Sequence, residues 1–76
     1  MTRAEIVIAR AKARRQLRSA PATARALRQQ AGLTQAEVGE ALGVSSVAVC
    51  RWERGERVPQ GDLAVRYLAL LQEACA

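Results

Sequence analysis

The hydrophobic residues in the middle of the chain form two short groups separated by a glycine. Val38 and Leu42 are four residues apart and Val49 and Trp52 are three apart, so each group has helical spacing, but the two groups do not continue as one helix. Gly43 stands between them and can adopt the left-handed conformation at which helices commonly end. The pattern predicts two short helices, packed across a tight turn, within residues 34–55.

Polar residues at the ends of these segments support the same boundaries. Thr34 can cap the first helix, with Glu37 three residues later as the partner of a capping box, and either Ser45 or Ser46 can cap the second. Gly39 has no side chain and lets the second helix approach the first closely. The second helix is then expected to expose the face opposite Val49 and Trp52, which carries Ser46, Val47, Cys50 and Arg51.

The N-terminal segment has helical spacing but only a thin apolar stripe. Ile6, Ala9, Ala13 and Leu17 share one side, and arginines surround them. Two interpretations stay open: a solvated, partly frayed helix or arm, and an arm that orders on DNA phosphates or in a minor groove. Pro21 ends this segment and suits the first position of the next helix, which is predicted to run to about Ala31.

A last helix is predicted from about Asp62, after a loop in which Val58 is the expected apolar plug. Its main stripe consists of Leu63, Tyr67, Leu70, Leu71 and Ala74. Val65, Leu68 and Cys75 lie outside that stripe and give the helix more apolar surface than one small core needs. This surplus can pack on residues 1–20 or form a subunit interface, and the sequence leaves both open.

Composition agrees with an all-helical chain, since Ala, Leu, Arg, Glu and Gln dominate the 76 residues and no alternating strand pattern occurs. The expected fold is an all-α bundle of four to five helices with a central helix-turn-helix. Residues 1–20 form a basic N-terminal helix or arm, and residues 21–76 form the domain proper.

Charge is distributed unevenly along the chain. The net charge is +5, but residues 1–28 carry eight cations and only Glu5, for +7, while residues 29–76 carry four cations and six acids, for −2. Such a chain favours polyanionic partners. Attraction to phosphates is expected to come from the N-terminal segment and from Arg54 and Arg57.

Several classes of function lack the residues that they need. The chain has no histidine, and Cys50 and Cys75 have no motif spacing, so we expect no metal, no cofactor and no enzymatic activity. The apolar run Ile6 to Ala9 is too short for a signal-peptide core or a membrane span. A soluble cytoplasmic protein with two free thiols is expected.

Residues 34–55 and their flanks resemble the helix-turn-helix of the phage repressor and Cro type, the XRE family. The resemblance rests on LRQQAGLTQ at 27–35, VGEALGVS at 38–45 and VCRWERG at 49–55, with Pro59 and Leu63 at the family's distances. It covers about residues 22–74 and implies a fold of the lambda-repressor-like type.

The resemblance also implies roles for individual residues. Base contacts fall to Ser46, Val47 and Arg51, where some family members use Gln or Asn and make more hydrogen bonds. Contacts to the DNA backbone fall to Thr34, Gln35, Ser45, Arg54 and Arg57. A structural brace is formed by an ion pair between Arg28 and Glu53, together with Gly43 and Trp52.

The function implied is sequence-specific DNA binding by a transcriptional regulator. A repressor acting as a homodimer on a pseudo-palindromic operator, located in the cytoplasm on the nucleoid, fits this best. The alternative is an antitoxin or adaptor use of the domain, in which the apolar last helix binds a protein partner.

Overall fold

Five helices follow one another along residues 1–75, the part of the chain that the computed structural model describes. Their bounds are α1 Arg3–Ser19, α2 Pro21–Gln30, α3 Gln35–Leu42, α4 Ser46–Glu53 and α5 Asp62–Ala74. The prediction of an all-α fold is confirmed, and no strand occurs within residues 1–75. Ala76, the last residue of the predicted domain, lies outside the described residues.

Local signals set most helix ends where the sequence predicts them. Thr2 and Glu5 form a capping box at the start of α1, and Pro21 is the first residue of α2. Beyond the end of α2, Gly32 has a φ of 73°, and the amide of Leu33 donates to the carbonyl of Arg28. This bond satisfies one of the carbonyls that a helix end would otherwise leave without a partner.

The N-terminal segment is a docked helix, so its interpretation as a solvated, frayed arm is wrong. α1 packs along α5 and touches the start of α2. Ala13 and Leu17 are buried, Ile6 and Ala9 are half-buried, and the exposed Val7 and Ile8 point away. The thin stripe is sufficient because α5 offers a complementary apolar surface.

The buried stripe of α5 differs from the predicted one. Ala64, Tyr67 and Leu71 are its buried members, whereas Leu63 and Leu70 are half-buried and Ala74 is exposed. Ala64 belongs to the stripe because it lies three residues before Tyr67 and its small side chain lets a neighbouring helix approach. Ala74, in the last turn, faces solvent, although the thiol of the next residue, Cys75, donates to the carbonyl of Leu27 in α2 at 3.0 Å.

Of the surplus apolar residues of the last helix, Val65 and Leu68 are partly covered within the chain, whereas Cys75 is exposed. Val65 and Leu68 are half-buried and pack against the core to which α1 contributes Ala13 and Leu17. The core as a whole consists of Ala13, Leu17, Ala24, Val38, Leu42, Val49, Trp52, Ala64, Tyr67 and Leu71.

The loop between α4 and α5 is closed by Pro59, which is buried, while the expected plug Val58 is only half-buried. Proline has no backbone N–H, so its burial leaves no donor without a partner. Val58 was the expected plug because it is the more hydrophobic of the two neighbouring residues.

Candidate nucleic-acid interface

The turn between α3 and α4 is fixed by local chemistry. The Thr34 hydroxyl accepts from the amide of Glu37, whose carboxylate accepts from the amide of Thr34. Gly43 takes the left-handed conformation with a φ of 76°, and the Ser45 hydroxyl accepts from the amide of Ala48. Of the two serines proposed as caps of α4, Ser45 is therefore the one that caps it.

Gly39 determines how closely the turn can approach α3. A Cβ atom at this position would lie 2.6 Å from the carbonyl oxygen of Val44, a contact that real side chains do not make. The close approach therefore involves the turn that leads into α4, and it fixes the angle at which α4 leaves α3.

α4 presents one side to solvent and the other to the core. Val49 and Trp52 are buried, while Val47 and Arg51 are exposed one turn apart on the opposite side. Ser46 is exposed at the N-terminal end, and Cys50 is half-buried at the edge of the exposed face. The predicted candidates for base contact are thus accessible on a helix whose other side is immobilised by the core.

A buried ion pair connects the end of α4 to α2. Nε of Arg28 donates to Oε2 of Glu53 at 2.5 Å, and Nη2 donates to Oε1 at 2.9 Å. The side chains are only 11% and 3% exposed. Nη1 of Arg28 also donates to the carbonyl of Leu33 at 2.8 Å, so the pair links α2, the loop after it and α4.

The environment of the pair favours its charged form. Burial alone raises the pKa of Glu53, but the hydrogen bonds from Arg28 and Gln35 and the charge of Arg28 outweigh it and place the pKa below the ordinary value. The hydrogen bond to Glu53 raises the pKa of Arg28. Both side chains are therefore ionised at neutral pH.

The side chain of Gln35, which was expected to bind a phosphate, is held by a hydrogen bond within the protein. Its side-chain Nε2 donates to Oε1 of Glu53 at 3.0 Å, so the side chain belongs to the ion-pair network. Within residues 1–75, the backbone amides of Gln35 and Ala36 have no hydrogen-bond partner. These two N–H groups at the start of α3 can donate hydrogen bonds to a phosphate oxygen.

A cleft of about 170 Å³ lies beside these amides. It is lined by Arg25, Gln35, Cys50, Glu53 and Arg54. Arg25 and Arg54 give the cleft two exposed cations, and Arg25 is close enough to lower the pKa of Glu53 in a minor way. Sequence reasoning missed Arg25 as a site residue, although its spacing of three from Arg28 places both on adjacent parts of α2.

The aromatic pair of the chain packs behind α4. The rings of Trp52 and Tyr67 have centroids 4.9 Å apart and a tilt of 47°. Burial raises the pKa of Tyr67 to about 12, and its hydroxyl has no hydrogen-bond partner among the described residues. Trp52 thereby joins α4 to α5 through an apolar contact.

The remaining predicted backbone contacts, Arg54 and Arg57, are exposed immediately after α4. Cys50 and Cys75 are free thiols, and no group of His, Cys, Asp or Glu within residues 1–75 could hold a metal ion. Likewise, none of the helices in this range combines the length and apolarity that a membrane span requires.

An exposed helix face after a tight turn, braced against a small helical core, is typical of the DNA-binding transcription regulators that carry a helix-turn-helix. A family model of the helix-turn-helix, XRE type, matches residues 25–74, and the chain belongs to this family. Searches of curated proteins and of solved structures gave no match. α1 and the first residues of α2 lie outside the matched range.

Proposed function

We propose that the protein is a transcriptional repressor that binds a pseudo-palindromic operator as a homodimer, in the cytoplasm on the nucleoid. The observation that carries the proposal is the exposed face of α4, with Val47 and Arg51 one turn apart opposite the buried Val49 and Trp52. Members of this family are DNA-binding regulators, and this face has the shape and accessibility that a major groove admits.

Arg51 is the residue proposed to read sequence. Its guanidinium can donate two hydrogen bonds to O6 and N7 of guanine, the commonest specific contact in the major groove. Val47 can contact a thymine methyl group, and Ser46 can donate to or accept from a base edge. With one strong donor group on the face, a preference centred on guanine is expected.

Contacts to phosphates are proposed to fix the orientation of α4 on the duplex. Gln35, Arg25 and Arg54 line one cleft at the edge of the α4 face, and the amides of Gln35 and the adjacent Ala36 have no partner among residues 1–75. Thr34 and Ser45 lie at the helix starts on either side of the turn, and Arg57 follows on the loop. Such contacts position the protein and carry little sequence information.

The length of α4 supports the proposed homodimer. Eight residues at 1.5 Å each give a helix of about 12 Å, which reads only a few base pairs. Two copies spaced by about 34 Å would read successive major grooves on one side of the duplex. An operator occupied in this way blocks a promoter that overlaps it, so repression needs no contact beyond the DNA.

The alternative of a partner-binding antitoxin or adaptor depended on an uncovered apolar face of the last helix. α1 packs along α5 and covers Val65 and Leu68 to about half or more. This packing supports the DNA-binding proposal over a partner that binds the last helix.

Arg51→Ala tests the reading face. On an operator found by selection of bound genomic fragments, it should cost about 1–3 kcal/mol and relax the preference for guanine, because it removes a base-edge contact. Arg15→Ala, which removes one exposed cation from α1, is the matched control and should keep the preference. An equal loss for Arg51→Ala on operator and random duplexes would make Arg51 a phosphate contact and contradict the proposal.

The stoichiometry tests the homodimer. Equilibrium sedimentation should find two protomers on a duplex with two half-sites about 34 Å apart, and tight binding should be lost when the spacing is changed by half a helical turn. A single protomer per two-half-site duplex at saturating protein would contradict dimeric binding. A reporter with the operator overlapping its promoter should be silenced, and activation would contradict repression.

A further inference from the structure

α1 lies outside the family match, yet it carries half of the cations of the chain. They are Arg3, Arg10, Lys12, Arg14, Arg15 and Arg18, against Glu5 alone. Arg10, Arg14 and Arg18 follow one another at intervals of four residues, so their side chains leave the helix on one flank. Lys12 and Arg15 lie further round the helix, where they line a shallow depression with Gln16 and Ser19.

Two contacts fix the first flank beside the loop that follows α4. At one end, Nε of Arg10 donates to Oδ1 of Asp62 at 3.0 Å, and Asp62 closes the loop. At the other end, the ring of Pro21, two residues beyond α1, lies 3.5 Å from where a Cβ of Gly55 would stand, and Gly55 opens the loop. The loop therefore runs alongside the C-terminal half of α1.

Cations lie on both sides of this contact. Arg54 directly precedes Gly55 and Arg57 lies within the loop, and both are exposed. Across the contact, Arg18 is exposed and Arg14 is half-buried, and neither makes an ion pair with any residue in 1–75. Arg10 is already engaged by Asp62, so Arg14 and Arg18 are the members of the flank that can take another anion.

We propose that Arg14 and Arg18 extend the DNA-backbone contacts of Arg54 and Arg57 and bind phosphates of the duplex that flanks the operator half-site. This inference rests on the proposed function, because it requires that α4 docks in the major groove. According to this proposal, one flank of α1 contacts DNA beyond the base pairs that the helix-turn-helix covers.

Binding to another anionic surface, a lipid membrane, would require different properties of α1. A helix that lies on a membrane needs an apolar face opposite its cations. The apolar face of α1, with Ala13 and Leu17, is buried against the core, and the exposed Val7 and Ile8 are interspersed among charged residues. The contact between Pro21, just after α1, and Gly55, which lies between Arg54 and Arg57, favours DNA.

The test compares two double variants of the full chain that remove equal charge: R14Q/R18Q, on the proposed flank, and K12Q/R15Q, at the depression. The slope of log K against log salt concentration is measured on the selected operator with long flanks. Each phosphate contact contributes about 0.9 to this slope, so R14Q/R18Q should flatten it by about two, while K12Q/R15Q should change it by much less. Hydroxyl-radical protection of the flanking DNA should be lost only in R14Q/R18Q.

Folding is checked by circular dichroism and melting. If R14Q/R18Q unfolds because Arg14 is half-buried, R18Q alone against K12Q keeps the comparison, with an expected difference in slope of about one.

Equal slopes for the two double variants, with the operator preference intact, would overturn the role of α1 and leave the proposed function standing. Binding of the wild type to phosphatidylserine/phosphatidylcholine vesicles that R14Q/R18Q abolishes, with an unchanged DNA slope, would assign the flank to a membrane and also overturn it. A wild-type protein that binds no duplex at any salt concentration would overturn the proposed function itself.

Discussion

Two ion pairs occur within residues 1–75, one inside the helix-turn-helix domain and one between this domain and α1, and they differ in their surroundings. Arg28 and Glu53 connect α2 to the end of α4 with side chains that are 11% and 3% exposed. Arg10 and Asp62 connect α1 to α5 with side chains that are 40% and 68% exposed. The first pair is sealed inside the helix-turn-helix domain, whereas the second is hydrated and screened by salt.

The two pairs indicate that α4 and α1 are held in place by different interactions. Removing one partner of the buried pair leaves a desolvated charge, so the orientation of α4 depends on both partners. α1 depends instead on the burial of Ala13 and Leu17, because an exposed pair contributes little. The region that is proposed to read DNA is thus fixed by polar and apolar contacts together, and the added helix by apolar contacts alone.

The largest effect is expected from the buried pair. Arg28→Ala or Glu53→Ala should each lower the free energy of unfolding by about 3–5 kcal/mol, a large share of the stability of a small domain. Arg10→Ala and Asp62→Ala are the matched controls and should leave the melting temperature almost unchanged. A double-mutant cycle for Arg28 and Glu53 with no coupling energy would remove the distinction between the two pairs.

A smaller loss is expected at the apolar contact of α1. Leu17→Ala should lower the free energy of unfolding by about 2–3 kcal/mol in urea denaturation, because it removes buried methyl groups and leaves a cavity. Val7→Ala, at a position that is 55% exposed on the same helix, should change it by less than about 0.5 kcal/mol. Equal small effects would mean that α1 detaches readily, and amide exchange along α1 would then be unprotected in the wild type.

The two ion pairs should also differ in how they affect the melting temperature at acidic pH. The pKa of Glu53 in the folded chain lies below its ordinary value of 4.5, so the pair contributes its stability above that pH and loses it as the pH falls through the folded-state pKa. The melting temperature of the wild type should therefore drop in acid, and Asp62→Asn should show nearly the same drop. Glu53→Gln should begin lower and decline less, and a decline as steep as that of the wild type would contradict the assignment to Glu53.

The smallest effect is expected behind α4. Tyr67→Phe should change the free energy of unfolding by less than about 1 kcal/mol in either direction, because the hydroxyl has no partner among residues 1–75 and the ring contact with Trp52 is kept. Tyr67→Ala removes the ring and should cost several times more. A clear loss for the phenylalanine variant would show that the hydroxyl has a hydrogen-bond partner, such as a buried water, next to the Arg28 and Glu53 pair.

The sequence alone determined the elements whose signals are local. The capping box of Thr34 and Glu37, the left-handed Gly43 and the cap Ser45 all act within four residues, and together they define the helix-turn-helix and its exposed face. The pair of Arg28 and Glu53 is separated by 25 residues, and it was expected chiefly through the family resemblance.

Only the tertiary structure decided how these elements meet. The stripe that ends at Leu17 fits a frayed arm as well as a docked helix, and the choice depended on the surface that α5 presents to it. The bond from Gln35 to Glu53 and the position of Arg25 beside their cleft likewise depend on the packing of α2, α3 and α4. Helical periodicity specifies which side of a helix is apolar, but which partner covers that side depends on contacts between residues far apart in the chain.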